Sequence, residues 1–95
     1  MLRISESNLE GVARTVHVEG QVVGEWVSVV RLACERARTD GHRLTVDLRD
    51  VSYADADGVA LLKELFDKGV LLANCSPFVA EQLREVGLDC RPVSN

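Results

Sequence analysis

The chain reads as a single α/β domain with a mixed, mostly parallel sheet and helices mainly on one face. Three observations carry this expectation. After an initial pair of strands, helix-like and strand-like periodicities take turns, in the order β-β-α-β-α-β-α-(β). Such alternation implies right-handed parallel crossovers. Three of the strands alternate apolar and polar residues, whereas a strand covered on both faces reads as a continuous apolar run, so one sheet face should be wet. The length of 95 residues, with 46% hydrophobic and 27% charged residues, suits one ordinary core. No linker, repeat or low-complexity stretch divides the chain, so residues 1–95 are expected to form one domain.

Each element has a local reason. Leu2-Arg3-Ile4-Ser5 alternates as a strand does, and Asn8-Leu9-Glu10-Gly11 supplies turn residues. Val12 to Glu19 alternates again, with Val16 and Val18 opposite Thr15, His17 and Glu19. The short connection predicts an antiparallel hairpin. Gly20 to Gly24 reads as a loop. Trp26, Val30, Ala33 and Ala37, beside Val27 and Cys34, recur at helical spacing and predict a helix from Glu25 to Thr39, stopped at Asp40-Gly41. Arg43 to Asp50 is a strand with Leu44, Val46 and Leu48 on one side. Val59, Leu62, Leu65 and Phe66 mark a second helix that ends at Gly69. Val70 to Ala73 is a short buried strand. Ser76-Pro77 opens a third helix, with Val79, Leu83 and Val86 on one face and Gly87 at its end. Leu88 to Val93 reads as a last edge strand that tolerates Pro92.

Composition narrows the function. Eleven Lys and Arg against fifteen Asp and Glu give a net charge of −4, and four residues in all are aromatic (Trp26, Tyr53, Phe66 and Phe78). This balance disfavours nucleic-acid binding. Leu2 to Ser7 lacks the basic start and apolar run of a secretory leader, and Val70 to Ala73 is far too short to span a bilayer. Membrane insertion is therefore not expected, and the expected location is the cytoplasm. Cys34, Cys75 and Cys90 show no CxxC spacing and read as reduced, buried thiols. The whole negative excess falls in Leu44 to Asp67. There Arg49 and Lys63 sit among Asp47, Asp50, Asp55, Asp57, Glu64 and Asp67.

Within that stretch, Val51-Ser52-Tyr53-Ala54-Asp55-Ala56-Asp57-Gly58 joins a strand to a helix start. The plain reading makes Asp55 the N-cap and Asp57 a first-turn acid. A calcium loop would use Asp55, Asp57 and Glu64, but its first ligand would be Tyr53 and a strand precedes it, so no metal is expected. Asp55-Ala56-Asp57-Gly58 also resembles the nucleophile turn of haloacid-dehalogenase-type phosphatases. Only 37 residues follow Gly58, and the later lysines, Lys63 and Lys68, lie on the adjacent helix. An enzyme is not expected.

Leu44 to Asp55 resembles the strand and turn of the STAS family, the anti-sigma-factor-antagonist domains, in which an apolar-Asp-Leu strand leads to an Asp. Ala56-Asp57-Gly58-Val59-Ala60-Leu61-Leu62 fills the place of that family's Ser-Ser-Gly-Leu helix start. Cys75-Ser76-Pro77 and Leu83-Arg84-Glu85-Val86-Gly87-Leu88 resemble its third-helix segment, and Val16-His17-Val18-Glu19-Gly20 its early strand. The resemblance covers Val12 to Leu88 and implies a STAS-like domain that works by protein–protein binding, without a cofactor.

The family's regulators carry a phosphoacceptor Ser or Thr just before the glycine; here Asp57 holds that position and Ala56 precedes it. A carboxylate carries about −1 against the −1.5 to −2 of a phosphoserine. The resemblance therefore implies a chain locked in a phosphorylated-like state, or one that has lost the switch. Two further departures are expected. The family's closing C-terminal helix is expected to be absent or very short, and Gln21-Val22-Val23 lacks an acid often found there. The implied binding face comprises Ser52, Tyr53, Asp55, Ala56, Asp57, Gly58, Lys63 and Glu64. The implied partner is an anti-sigma factor or related ATP-binding kinase in a bacterium. The alternative is the ATPase of a lipid-transport ABC complex, where small STAS proteins carry Thr-Ala-Gly in the turn.

The remaining residues read plainly. Trp26 is expected in the core and His17 on a strand's polar face, with His42 in a turn. Arg31, Arg36, Arg38 and Arg43 read as a solvated group. No Ser/His/Asp arrangement is apparent in the order of the residues.

Overall fold

The computed structural model describes residues 2–9, 13–38 and 43–91. The order is β1 (Leu2–Leu9), β2 (Ala13–Val22), α1 (Trp26–Arg38), β3 (Arg43–Ala54), α2 (Ala56–Asp67), β4 (Leu71–Ala73) and α3 (Pro77–Glu85). The four strands lie side by side in chain order. β1 and β2 form the expected antiparallel hairpin, and β2–β3 and β3–β4 are parallel. Both crossovers step the same way across the sheet. Being right-handed, they place α1 and α2 on the same face. One core fills that side, built from Val16, Val18, Val46 and Leu48 of the sheet with Val30, Cys34, Leu61, Leu65, Val79 and Leu83 of the helices. The other face carries Ser5, His17, Arg43, Thr45 and Asp47, all exposed or half-buried.

Three expectations about side chains need correction. Phe66 was expected in the core stripe of α2, but it is exposed, and Gly58, Leu61, Leu62 and Leu65 are the buried residues. Val86 lies beyond the last turn of α3 and is exposed. Trp26 begins α1 and sits at its rim, 36% exposed, because Val27, Val30, Cys34 and Ala37 already fill the inward stripe.

Two strands outrun their sequence signal. β2 continues through Gly20, Gln21 and Val22, and β3 continues through Val51 to Ala54. Register shifts lie between His17 and Glu19 and between Gly20 and Gln21. Each shift adds one residue to β3 and breaks its period of two, which is why Val51 to Ala54 read as a turn. β2 keeps its alternation to Val22, and Gly20 and Gly24 are what make its end read as a loop. The expected last strand shrinks to one parallel bridge, Ala73 to Arg91. Pro92 and Val93, the proposed stop at Asp40-Gly41, and His42 lie outside the described residues.

The same bridge corrects the cysteine reading. Arg91 N–H donates to the Leu72 carbonyl and Asn74 N–H to the Arg91 carbonyl, which brings the returning chain alongside β4. Cys75 and Cys90 then stand with Cα atoms 5.9 Å apart and are joined as a disulfide. A closed loop of this length stabilises by about 3 kcal/mol. No CxxC spacing was needed, because tertiary pairing sets the distance. Cys34 is the free thiol among the described residues, and burial pushes it up to about 11.

β4 covers β3 only from Thr45 to Asp47. Beyond that the outer edge of β3 needs other partners, since unpaired buried backbone groups are costly. α3 supplies them. The Gln82 side chain donates Nε2–H to the Ala54 carbonyl at 2.6 Å and accepts from the Ala54 N–H at 3.2 Å. The Ser76 hydroxyl donates to the Val51 carbonyl at 2.6 Å. Ser76 is the N-cap residue of α3, yet its side chain makes no cap bond, because its hydroxyl serves the strand instead.

Candidate functional site

The acidic turn is a clamp. Asp55 is the N-cap of α2, and its Oδ1 accepts from the Gly58 N–H at 2.8 Å. Its Oδ2 accepts from the Gly24 N–H at 2.9 Å, on the loop between β2 and α1. Gly24 has φ +54°, a conformation that glycine adopts freely and that aims this N–H at the carboxylate. The Asp55 N–H in turn donates to the Val22 carbonyl at 3.2 Å. One side chain therefore ties the starts of two helices together. The Gly24 hydrogen bond first, and the Gly58 bond second, hold the Asp55 carboxyl below its ordinary value.

Gly58 is where the two segments approach most closely. A methyl group on its Cα would run into the Val22 carbonyl oxygen and come within 3.1 Å of the Ala54 methyl. Only a residue without Cβ fits there.

Around this clamp the remaining turn residues face outward. Ser52, Tyr53, Ala56 and Asp57 are exposed, whereas Gly58 is buried. The Ser52 hydroxyl reaches the Gly20 carbonyl at 3.4 Å. The Asp57 carboxylate has no hydrogen-bond or ion-pair partner among the described residues. It lines a shallow groove of about 230 Å³ between α1 and α2, with Gly24, Ser28, Arg31 and Ala60. Arg31, on the wall of that groove, pairs with Glu64 at 3.2 Å, and Glu64 also receives the Lys68 ammonium at 3.4 Å. The Arg31 hydrogen bond is the main reason its carboxyl is held below the usual range. Lys63 is exposed and pairs with Asp67 at 3.4 Å. Of the eight residues the sequence singles out, Ser52 to Gly58 form one contiguous edge. Lys63 and Glu64 lie further down α2 and are already engaged in ion pairs, which are worth little at a surface.

Sequence reasoning missed two features that only the sheet register creates. Tyr53, at the end of β3, meets Phe78, the second residue of α3, with ring centroids 5.9 Å apart. On the open face, Ser7, His17 and Asp47 form a row: Ser7 Oγ to His17 Nε2 is 3.4 Å, and His17 Nδ1 to Asp47 Oδ2 is 3.3 Å. Asp47 is further held by the Arg49 N–H at 2.9 Å and by Asn74 at 3.4 Å. The sequence showed no Ser/His/Asp arrangement because these residues belong to three strands. The row lies on the uncovered face of the sheet, where Ser7 and His17 are exposed.

A model of the STAS domain family matches residues 6–93. Among solved structures, the anti-sigma factor antagonist SpoIIAA in its unphosphorylated form is similar, with a TM-score of 0.66 and 17% identity over 97% of this chain and 90% of that one. An uncharacterised protein of the DUF3478 family from Shewanella loihica PV-4, with a SpoIIAA-like fold, gives 0.60 and 10% identity over 99% and 86%. At these identities the likeness is one of fold. No curated protein matches the chain.

Two outcomes test the clamp. Gly58→Ala is expected to cost about 2–3 kcal/mol in urea unfolding, because the new methyl meets backbone rather than a movable side chain. A loss below about 0.5 kcal/mol would contradict the close approach. The depressed Asp55 value means its contribution is fully present above the ordinary carboxylate range and is lost as pH falls through the folded-state value. Asn also caps helices but offers a single acceptor oxygen, so Asp55→Asn removes the charge and one of the two clamp bonds. Wild-type unfolding free energy should therefore fall more steeply than the variant's below about pH 5; parallel profiles would refute the assignment.

Proposed function

The chain belongs to the STAS domain family, and from that membership we propose that it is a cytoplasmic bacterial regulator that binds an anti-sigma factor or a related ATP-binding kinase through its acidic turn. The observation that carries this reading is the Asp57 carboxylate, exposed and without an internal partner on a turn that Asp55 holds in place. A structural first-turn acid needs no such clamp spanning two helices. A charge presented on a fixed frame favours recognition, because little ordering is lost on binding.

Asp57 stands where the family's regulators carry a phosphoacceptor. Its carboxylate supports the reading of a chain held permanently in a phosphorylated-like state. An ATP-binding partner offers the cationic surface that this local negative charge complements. Ser52, Tyr53, Asp55, Ala56 and Gly58 form the rest of the proposed face, with Lys63 and Glu64 at its margin. The Cys75–Cys90 disulfide stands against the cytoplasmic part of this reading, because such links are uncommon in a reducing compartment; the backbone bonds of Arg91 hold the segment independently of it.

Affinity capture from the native cell, read by mass spectrometry, tests the proposal. Wild type is expected to retain an ATP-binding regulatory kinase, and Asp57→Arg to weaken that capture at least about tenfold. Retention of an ABC-transporter ATPase instead would transfer the reading to a transport accessory subunit. Equal capture by both proteins would reduce the turn to a helix cap.

A further inference from the structure

The loop that the Cys75–Cys90 link closes holds one element, α3. With Ser76 at its N-cap and Gln82 within it, that helix satisfies the outer edge of β3. These bonds end on Val51 and Ala54, and Ala54 directly precedes the Asp55 clamp. The link therefore bears on the frame of the acidic turn through one helix. Cys75 also follows Asn74, the one non-glycine residue with positive φ (+56°) among the described residues. Such a conformation persists only where surrounding bonds fix it, and here the Asn74 N–H donates to the Arg91 carbonyl, beside Cys90.

Three features suit a link that opens and closes. Both cysteines are half-buried, so neither is enclosed in the core as Cys34 is. The Cys75 N–H donates to Cys90 Sγ at 3.0 Å, just ahead of the N-terminus of α3. A donor and the positive end of a helix both favour a thiolate, the form that attacks and leaves in disulfide exchange. The Arg91 backbone bonds and the buried Leu88 hold the returning chain without the link, so the fold outlasts its reduction. A disulfide that forms in a reducing compartment is usually transient and redox-sensing.

We infer that Cys75 and Cys90 form a reversible oxidation site for low-molecular-weight disulfides and, through α3, set how firmly the acidic turn is held. This rests on the reading of the turn as a binding face in a reducing compartment, and adds a control to it. The Cys90 thiolate attacks one sulfur of the small disulfide, forming a mixed disulfide and releasing one small thiolate. Cys75 gives its proton to solvent and attacks Cys90 Sγ, which forms the link and expels the second small thiolate. The protein loses two electrons and two protons; the small disulfide gains the electrons, and its two thiolates take up protons from solvent. An excess of small thiol runs the steps in reverse, with Cys90 as the leaving sulfur.

The test uses the whole chain, with glutathione as the probe. The folded protein is equilibrated in mixtures of reduced and oxidised glutathione and quenched with acid. Free thiols are then alkylated and located by mass spectrometry. Cys75 and Cys90 are expected to be open in excess reduced glutathione and linked in excess oxidised glutathione, with Cys34 a thiol throughout. The Ala54 amide, followed by NMR hydrogen exchange in both forms, is expected to exchange at least about tenfold faster when the pair is open, because the closed loop restrains α3. The double variant Cys75→Ser, Cys90→Ser should show the faster rate in either mixture. A pair that stays linked in excess reduced glutathione, a pair that never links, an unchanged Ala54 rate, or loss of protection throughout the chain on reduction would each overturn the inference. None of these readouts involves the captured kinase, so their failure leaves the binding turn standing. If Asp57→Arg captures the kinase as wild type does while the pair still switches, the turn reading fails alone.

Discussion

Asp55 holds two helix starts with one carboxylate. Its two oxygens accept from Gly24 and Gly58, which belong to chain segments more than thirty residues apart. Helix N-termini leave N–H groups without internal partners, and a carboxylate answers that need with both hydrogen bonds and charge. The close fit of Gly58 over the Val22 carbonyl depends on the same docking. If the clamp opens, the end of β2 and the start of α2 part, and the exposed turn loses its frame. The placement of Asp57, Tyr53 and Ser52 follows from this one constraint.

The second constraint lies at the edge of β3. A strand of twelve residues beside a strand of three leaves a long edge without a neighbour. Gln82 and Ser76 cover it with side-chain hydrogen bonds in place of a strand ladder. This fixes α3 in register with the acidic turn and so decides where Phe78 emerges. The Cys75–Cys90 link and the Arg91 bonds close the same region from the other side. Packing, edge satisfaction and the placement of the exposed turn are thus one problem in this fold, solved by a few polar side chains around an apolar core.

The order of elements, the hairpin and the one-sided packing of helices were legible because each rests on a local period or on crossover handedness. The Asp55 cap was legible too, since Asp three residues before a helical glycine at the end of a strand has few other uses. What could not be read is whatever depends on register across strands. Ser52 and Tyr53 look like turn residues, yet β3, with one extra residue at each of its two register shifts against β2, runs on to Ala54. Phe66, Val86 and Trp26 satisfy helical spacing but sit where the inward stripe is already full. The Cys75–Cys90 link, the Ser7–His17–Asp47 row and the Tyr53–Phe78 pair each join residues from separate elements. Gln82 gave no signal at all, because a half-buried glutamine on a helix is unremarkable until an unpaired strand edge lies beside it.

On the proposed reading, the turn at residues 52–58 is the binding edge and the open sheet face has no partner role. Hydrogen exchange of the chain, alone and in complex with the protein it captures, tests that division directly. The account predicts slowed exchange concentrated at residues 52–60 and 77–82, with β1 and the open face of the sheet unchanged. Protection confined to β1, or to the row formed by Ser7, His17 and Asp47, would contradict it and move the binding surface to the opposite side of the molecule.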